Sequence, residues 1–588
     1  MNTGQAEVHP ICRVRSGLLC LGLMLGFALV FCRLFFLQVL QAEDGARQAD
    51  RQHHKTIVIR PDRGTIYDYR GHPLAMNVEM SSLIARPALV ANPKQVARTL
   101  APILDKDPGR LGKELTGNEH FVWVQRHIPE PLAKKIEALN LPGLELVKEP
   151  HRFYPKGTLV SHVVGYAGID SQGLGGVEHQ YEPLLRGHKN LVQYQRDALG
   201  RKIAQLQDQA SDRVPAGYSL QLTIDEVVQF IAEEELAAII KKSEAQSGSI
   251  VMMDPMTGAI LAWALYPTYD PNQYQKFTDT ERLNWILTNP YEPGSTLKIV
   301  AAAGALQEEV MTPMTLIYGN EGQMPVAGTI VHDPAKSSWM TFSEALAQSS
   351  NVGAIKMADA LGPVRFYHYL KAFGFGEKTG IDLPGESPGS LSNPGQWSGR
   401  SLSSIAMGQE ISVTPIQLVR AMSAIANGGR LMKPHVIASV LDQHGTPIQV
   451  NKPQEMKDAI FPDTAAMMTQ ILELAVEKGT GKRAKLEEYR VAGKTGTAQK
   501  FDKEAGSYSS SKVIVSFLGF APVEQPRLTM LVMVDEPHVG KWGGEIAAPV
   551  FKKVAERVLP YLGVLPGGTH FIQTASATSR ADSTVVIQ

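Results

Sequence analysis

Ser295 and Lys298 stand three residues apart in Glu292-Pro293-Gly294-Ser295-Thr296-Leu297-Lys298, which runs directly into Ile299-Val300-Ala301-Ala302-Ala303. A Pro-Gly break followed by good helix formers predicts a helix that begins near the serine. Residues three apart on a helix share a face, so the lysine amine falls within reach of the serine oxygen. A hydroxyl is a weak nucleophile at neutral pH and needs a base beside it. Lysine serves only if burial or a second cation lowers its pKa enough to leave it neutral. A helix N-terminus also favours negative charge developing nearby. The motif alone is common, because a chain of this length holds about two such pairs by chance. Ser509 and Lys512 form another, within the polar Tyr508-Ser509-Ser510-Ser511-Lys512, which reads as a solvated loop.

Two further motifs supply what the pair lacks. Ser349-Ser350-Asn351 follows a helical stretch from Phe342 to Ala347, and no other Ser-x-Asn occurs in the chain. A hydroxyl and an amide so spaced can face one cleft, Ser349 relaying a proton between Lys298 and a leaving group and Asn351 hydrogen-bonding a peptide. The bland alternative is a local helix cap. Lys494-Thr495-Gly496-Thr497 follows Arg490-Val491-Ala492-Gly493. A strand edge with Gly496 lets backbone approach a substrate closely, and an exposed N–H there can form half of an oxyanion hole. Lys378-Thr379-Gly380 repeats the wording but leads into Ile381-Asp382-Leu383-Pro384-Gly385, a turn and loop. Only the later copy falls where a sheet strand is expected.

The elements that must position these residues are legible downstream of Pro215-Ala216-Gly217. Leu220 to Ile224 reads as a strand, and Asp225 can cap a helix with an apolar stripe of Val228, Ile231, Leu236 and Ile239. Ser249 to Met253, a turn at Asp254-Pro255-Met256-Thr257-Gly258, and Ala259 to Ala262 predict a hairpin. Val513 to Phe520 and Leu528 to Val534 supply two more strands before a helix around Val550 to Leu559. Strands, then helices, then strands indicate an α+β domain with helices against an antiparallel sheet. Residues 41 to 215 read as a separate mixed region of short strands, turns and charged helices. The Ser/Thr-rich tail beyond Gly567 reads as disordered.

The chain has 588 residues, too many for one core, and its 58 basic residues balance 58 acidic ones. No global field therefore favours nucleic acid. Cys12, Cys20 and Cys32 all lie near the N-terminus, so the body has neither a disulfide framework nor a cysteine metal site. Ser16 to Leu40 is almost wholly apolar, broken only by Arg33 and Gln38, and long enough to span about 30 Å of hydrocarbon. Arg13 and Arg15 precede it and favour a cytoplasmic N-terminus with the body outside. No clear small-x-small site follows, so an uncleaved anchor is expected rather than a signal peptide.

Ser-x-x-Lys, Ser-x-Asn and Lys-Thr-Gly in this order resemble the signature set of penicillin-binding proteins and serine β-lactamases. The region before them is similar to class B penicillin-binding proteins. The matching stretches are Arg63-Gly64-Thr65-Ile66-Tyr67-Asp68 with Gly71 and Leu74-Ala75; Arg152, Tyr154-Pro155, Gly157, His162 and Gly165-Tyr166; and Gly176-Val177-Glu178 with Leu185-Arg186-Gly187. Tyr69 and Arg70 depart from the family wording. Arg196-Asp197-Ala198-Leu199-Gly200-Arg201 resembles the septal, division-type branch. A Glu-Asp-x-x-Phe pattern of bifunctional glycosyltransferases is missing.

The resemblance implies a penicillin-binding/serine β-lactamase-like α+β transpeptidase domain, an elongated pedestal and a single transmembrane helix. The expected boundaries are 1–15 for a cytoplasmic tail, 16–40 for the anchor, 41–215 for the pedestal, 216–562 for the transpeptidase domain and 563–588 for the tail. The implied activity is peptidoglycan D,D-transpeptidation through an acyl-enzyme. Ser295, Lys298, Ser349, Asn351 and Lys494 are the implied catalytic residues, and Thr495, Gly496 and Thr497 the substrate and oxyanion residues, with no metal or cofactor. Implied partners are stem peptides ending in D-Ala-D-Ala, an acceptor amine, β-lactams as covalent inhibitors, and a polytopic glycan polymerase with other divisome membrane proteins. The body would lie outside the cytoplasmic membrane. The alternatives are an elongation-type enzyme, a β-lactam-sensing receptor, a β-lactamase and a structural divisome component. The short segment before the anchor argues against the receptor, and the pedestal and anchor against the β-lactamase.

Overall fold

The computed structural model describes residues 10–43, 54–59, 62–117, 119, 121–187, 190–196, 202–205, 216–502 and 506–566. Asp197 to Arg201 of the septal-type stretch and the tail beyond Gly567 lie outside the described residues. Two compact units result, one of residues 1–61 and 188–215, the other of 62–187 and 216–588.

In the first unit, helix α1 (Pro10–Phe35) continues through a wider turn over Phe36–Leu40. Its apolar span, Val14–Leu40, is 27 residues, about 40 Å at 1.5 Å per residue. None of that span is buried inside the protein, as a helix solvated by lipid requires. The unit also holds a three-stranded antiparallel sheet in which Asn190–Arg196 lies between His54–Ile59 and Lys202–Gln205.

The second unit begins with strands Ile66–Tyr67 and Pro73–Ala85, the latter flanked by Val122–Ile128 and Leu144–Phe153. Ile66–Tyr67 pairs in parallel with Ser219–Leu222, which pairs with Ile437–Leu441. One sheet therefore runs across residue 215 without a seam. Three stretches set far apart in sequence meet behind it at Glu178, whose side chain is fully buried. Arg63 Nε donates to Glu178 Oε2 at 2.5 Å, Arg152 Nε to Oε1 at 2.7 Å, and the Tyr154 hydroxyl to Oε1 at 3.3 Å. Burial pushes the Glu178 carboxyl up, but the two guanidiniums outweigh it and hold the pKa below the ordinary range. Arg70 pairs with Asp225 at 2.8 Å and stacks over Tyr561, so its departure from the family wording has a local partner.

The part after residue 222 opens with helix α2 (Glu226–Ser243), whose cap is Asp225 accepting from the backbone of Val227 and Val228. The hairpin expected from the sequence forms as β1 (Ser247–Met253) and β2 (Ile260–Tyr266). Between it and the distant strands lie α3 (Lys298–Gln307), α4 (Phe342–Ala347), α5 (Asn351–Ala372), α6 (Pro415–Ala426) and α7 (Pro462–Glu477). Then come β3 (Ala492–Asp502), β4 (Ser507–Ala521), β5 (Leu528–Asp535) and α8 (Gly543–Tyr561). The five strands make one antiparallel sheet in the order β2-β1-β5-β4-β3.

Alternation along the strands divides the core in two. Ile250, Met252 and Phe517 join α2 and α8, whereas Val251, Met253 and Leu518 join α3 and α6. Helix α3 is apolar all round and buried from Lys298 to Leu306, which is how a lysine enters the core at all. Ser509 and Lys512 lie not in a loop but in β4. The stretch is polar because Ser511 and Lys512 face solvent in the strand's first half, where pairing with β3 is interrupted by a bulge.

Candidate active site

Sheet order makes β3 an edge strand, and the turn before α3 packs against that edge. Residues Gly294–Leu297 form one 3-10 turn, so Ser295 is presented just before α3 proper. Gly294 sits at φ +56°, where a side chain would be strained, and a Cβ there would stand 3.0 Å from the Thr497 carbonyl. A Cβ on Gly496 would stand 2.3 Å from Ser516 Oγ and 2.8 Å from Thr296 Cγ2. Bare backbone at both positions lets the serine turn and the strand edge meet.

On the other side, α4 ends at Ala347 and α5 starts at Asn351, so Ser349 and Ser350 occupy the junction. Ser349 has φ +62°, uncommon for a residue with a Cβ and costing of order 1 kcal/mol. That conformation gives one residue two roles. Lys298 Nζ donates to the Ser349 carbonyl at 2.7 Å and to Asn351 Oδ1 at 2.6 Å, while Lys494 Nζ donates to Ser349 Oγ at 2.7 Å. Lys494 also reaches the Thr495 carbonyl at 3.1 Å. Three motifs spread over two hundred residues thus close on one point.

Both lysine side chains are buried and neither touches a carboxylate. Burial pushes the Lys298 amine down to about 7, with Asp333 opposing the shift. Burial also drives Lys494 well below the ordinary lysine range, and Lys298 adds to it. A neutral Lys298 is a competent base at physiological pH. Ser295 lines a cleft of about 860 Å³ with Ser349, Asn351, Thr495 and Thr497. Its Oγ has no hydrogen-bond partner among the described residues: the Lys298 amine, expected beside it from the spacing, donates instead to Ser349 and Asn351. Thr495 Oγ1 lies 2.6 Å from Thr480 Oγ1, and Thr497 Oγ1 accepts from the Gly543 backbone at 3.3 Å. Lys482, Arg483 and Lys541 line the same cleft and give it positive charge for an anionic end group. The copy at Lys378-Thr379-Gly380 is a loop in which Glu386 caps Thr379 and Gly380.

Sequence reasoning missed Asp333. It follows the hairpin of Gln323–Val326 and Thr329–His332, turned at Ala327-Gly328. Its Oδ2 accepts from Ser350 Oγ at 2.6 Å, and its Oδ1 from the backbone of Asn351 and of Val352, the latter at 3.0 Å. The His332 carbonyl accepts from Asn351 Nδ2 at 2.7 Å. This loop therefore fixes the start of α5, where Ser349 and Asn351 stand. The available signal was the Ala-Gly turn with an acid close behind it, too weak to single out alone. As for metals, Asp68, His72 and Glu226 bring ligand atoms within 4.8 Å of one another. Asp68 already accepts from the backbone of Arg70, His72 and Glu226, and Lys156 pairs with Glu226, so their charge is met without an ion.

Comparison with known proteins gives the family. Residues 248–556 match the penicillin-binding protein transpeptidase domain, and residues 58–222 the penicillin-binding protein dimerisation domain. The chain belongs to the class B penicillin-binding proteins. Relatives of this family include stage V sporulation protein D of Bacillus subtilis, 35% identical over 92% of this chain and 84% of that protein. Peptidoglycan D,D-transpeptidase FtsI of Escherichia coli is 31% identical over 94% of this chain and 92% of its own length. Among solved penicillin-binding structures, penicillin-binding protein 3 of Mycobacterium tuberculosis complexed with aztreonam aligns with a TM-score of 0.69 at 26% identity, covering 87% of this chain and 98% of that one. A peptidoglycan synthetase from Bifidobacterium adolescentis aligns with a TM-score of 0.71, also at 26% identity, over 88% and 98%. The α+β fold with its N-terminal dimerisation domain is as the sequence implied.

Proposed function

We propose that this class B penicillin-binding protein is a peptidoglycan D,D-transpeptidase with Ser295 as nucleophile. The observation that carries the reading is the convergence of Lys298 and Lys494 on Ser349, in the cleft that Ser295 lines. Lys298 takes the Ser295 proton as Oγ attacks the carbonyl carbon of the penultimate D-Ala. The resulting oxyanion is held by backbone N–H groups of Ser295 and Thr497. Collapse breaks the peptide bond, and the proton passes through Ser349 to the leaving D-Ala amine. An acceptor amine then attacks the ester, forms the cross-link and returns the proton to Ser295. Thr495 and Thr497 hydroxyls bind the terminal carboxylate, Asn351 the peptide backbone, and Gly496 gives the substrate room. β-Lactams acylate the same oxygen and stay.

In this reading residues 1–15 are cytoplasmic, 16–40 anchor the chain in the cytoplasmic membrane, 41–215 form the pedestal, and 216–562 the catalytic domain outside. A polytopic glycan polymerase and divisome membrane proteins are its partners, by analogy with the division-type branch. Fluorescent penicillin is the direct probe: Ser295→Ala should abolish covalent labelling, and undiminished labelling would refute the assignment. Depletion in the host separates the septal role, which gives filaments, from an elongation role, which gives rounded cells.

A further inference from the structure

Three carboxylates line the cleft, and they differ in what already holds them. Asp333 is committed to Ser350, Asn351 and Val352. Glu545 lies in the first turn of α8, next to the Gly543 and Gly544 backbone that faces Thr497 and Thr495. Glu292 stands on the nucleophile's own turn, three residues before Ser295. Its Oε1 accepts from the Tyr508 hydroxyl at 3.1 Å and from the Glu410 backbone at 3.0 Å. Its Oε2 has no partner among the described residues. Burial pushes this carboxyl up, and the Glu410 backbone N–H and the Tyr508 hydroxyl offset only part of that, so a cation at the open oxygen would relieve the remaining cost.

Position along β3 says which part of a substrate would meet it. The serine turn and the strand run past each other: Thr296 lies at Gly496, Gly294 at Thr497 and Ala498, and Glu292 at Tyr508, which pairs with Phe501. Glu292 therefore lies beyond Thr497, on the side away from Thr495, Thr480 and Lys494. A peptide added to this free edge, with its carboxylate at Thr495 and its scissile carbonyl at Ser295, must run toward Phe501. Each residue advances about 3.3 Å. The residue before D-Ala-D-Ala then lies short of Glu292, and a side chain of lysine length covers the rest.

We propose that Glu292 is a specificity-determining residue that binds a primary ammonium on the side chain preceding D-Ala-D-Ala in the donor peptide. The assignment rests on the transpeptidase reading and deepens it by naming the substrate class: donors whose diamino residue is still uncross-linked. Gln409 and Gln499 line the cleft beside it as neutral hydrogen-bonding groups.

The test uses the full-length chain in detergent and two synthetic peptides ending in D-Ala-D-Ala, one with free lysine before it and one with N-acetyl-lysine. Acylation of Ser295 is followed as loss of sites available to fluorescent penicillin, and each variant is compared only with itself. The free amine should acylate about tenfold faster, a factor worth 1.4 kcal/mol, and the ratio should shrink as salt screens the pair. Glu292→Gln should bring the ratio to within about twofold, and Glu292→Lys should favour a peptide with glutamate at that position. Equal rates in the unmodified chain overturn the assignment, and so does an undiminished ratio in Glu292→Gln. It is also overturned if Glu292→Gln acylates with the full preference yet loses transfer to an amine, which puts Glu292 on the acceptor's side. Failure of both peptides to acylate the unmodified chain removes the transpeptidase reading together with this assignment.

Discussion

Two buried ionic clusters in this protein treat charge in opposite ways. Behind the pedestal sheet, Arg63 and Arg152 close on Glu178, and every charge has a counter-charge within 3 Å. In the cleft, Lys298 and Lys494 are equally buried but meet only carbonyl, hydroxyl and amide oxygens. The first cluster keeps its charges because they compensate one another. The second sheds a proton because no carboxylate touches either amine and Asp333 offsets the burial of Lys298 only in part. Burial with a counter-ion makes a clamp; burial without one makes a base.

Breaking the uncompensated cluster should cost the most. Lys298→Met is expected to slow acylation by fluorescent penicillin roughly 10³-fold, with circular dichroism and melting temperature close to those of the parent. A rate within tenfold of the parent would mean that another group takes the Ser295 proton. Breaking the compensated cluster should instead leave chemistry and damage folding. Glu178→Gln leaves the buried Arg152 guanidinium without a carboxylate, while Arg63 keeps Glu182, and should cost about 3–5 kcal/mol, read by chemical denaturation. If denaturation midpoints coincide, the clamp contributes nothing.

The contrast sharpens with pH. Lys298 must be neutral to act, and its pKa is about 7, so acylation should fall about tenfold per unit below that value and level off above it. A pH profile flat from 5 to 8 in roughly steady labelling rates would show that the lysine is already neutral throughout. The smallest effect is expected from Asp333→Asn. Asp333 raises the Lys298 pKa, so its loss should move the acid limb to lower pH while a loosened start of α5 lowers the plateau by about threefold. A purely structural role would lower the plateau and leave the limb in place.

Much of this was legible before any coordinates, for reasons that differ by element. Ser295 with Lys298, the hairpin of β1 and β2, and the Asp225 cap are local, so spacing and turn chemistry suffice. The convergence of Lys494 on Ser349 spans 145 residues; only the order of three motifs, and the family they resemble, indicated it. The position of Ser509 and Lys512 was misread because polar residues on the exposed half of a strand look like a loop. Asp333 and Glu292 carried no motif at all. Their roles arise from where a hairpin and a turn happen to end, which pattern in sequence does not encode.

The strand Ile66–Tyr67 pairs with Pro73–Ala85 on one side and Ser219–Leu222 on the other. That arrangement has a mechanical consequence. A load applied to Ile66–Tyr67 would be shared, through backbone amide bonds, with the strand that leads into the half that holds Ser295.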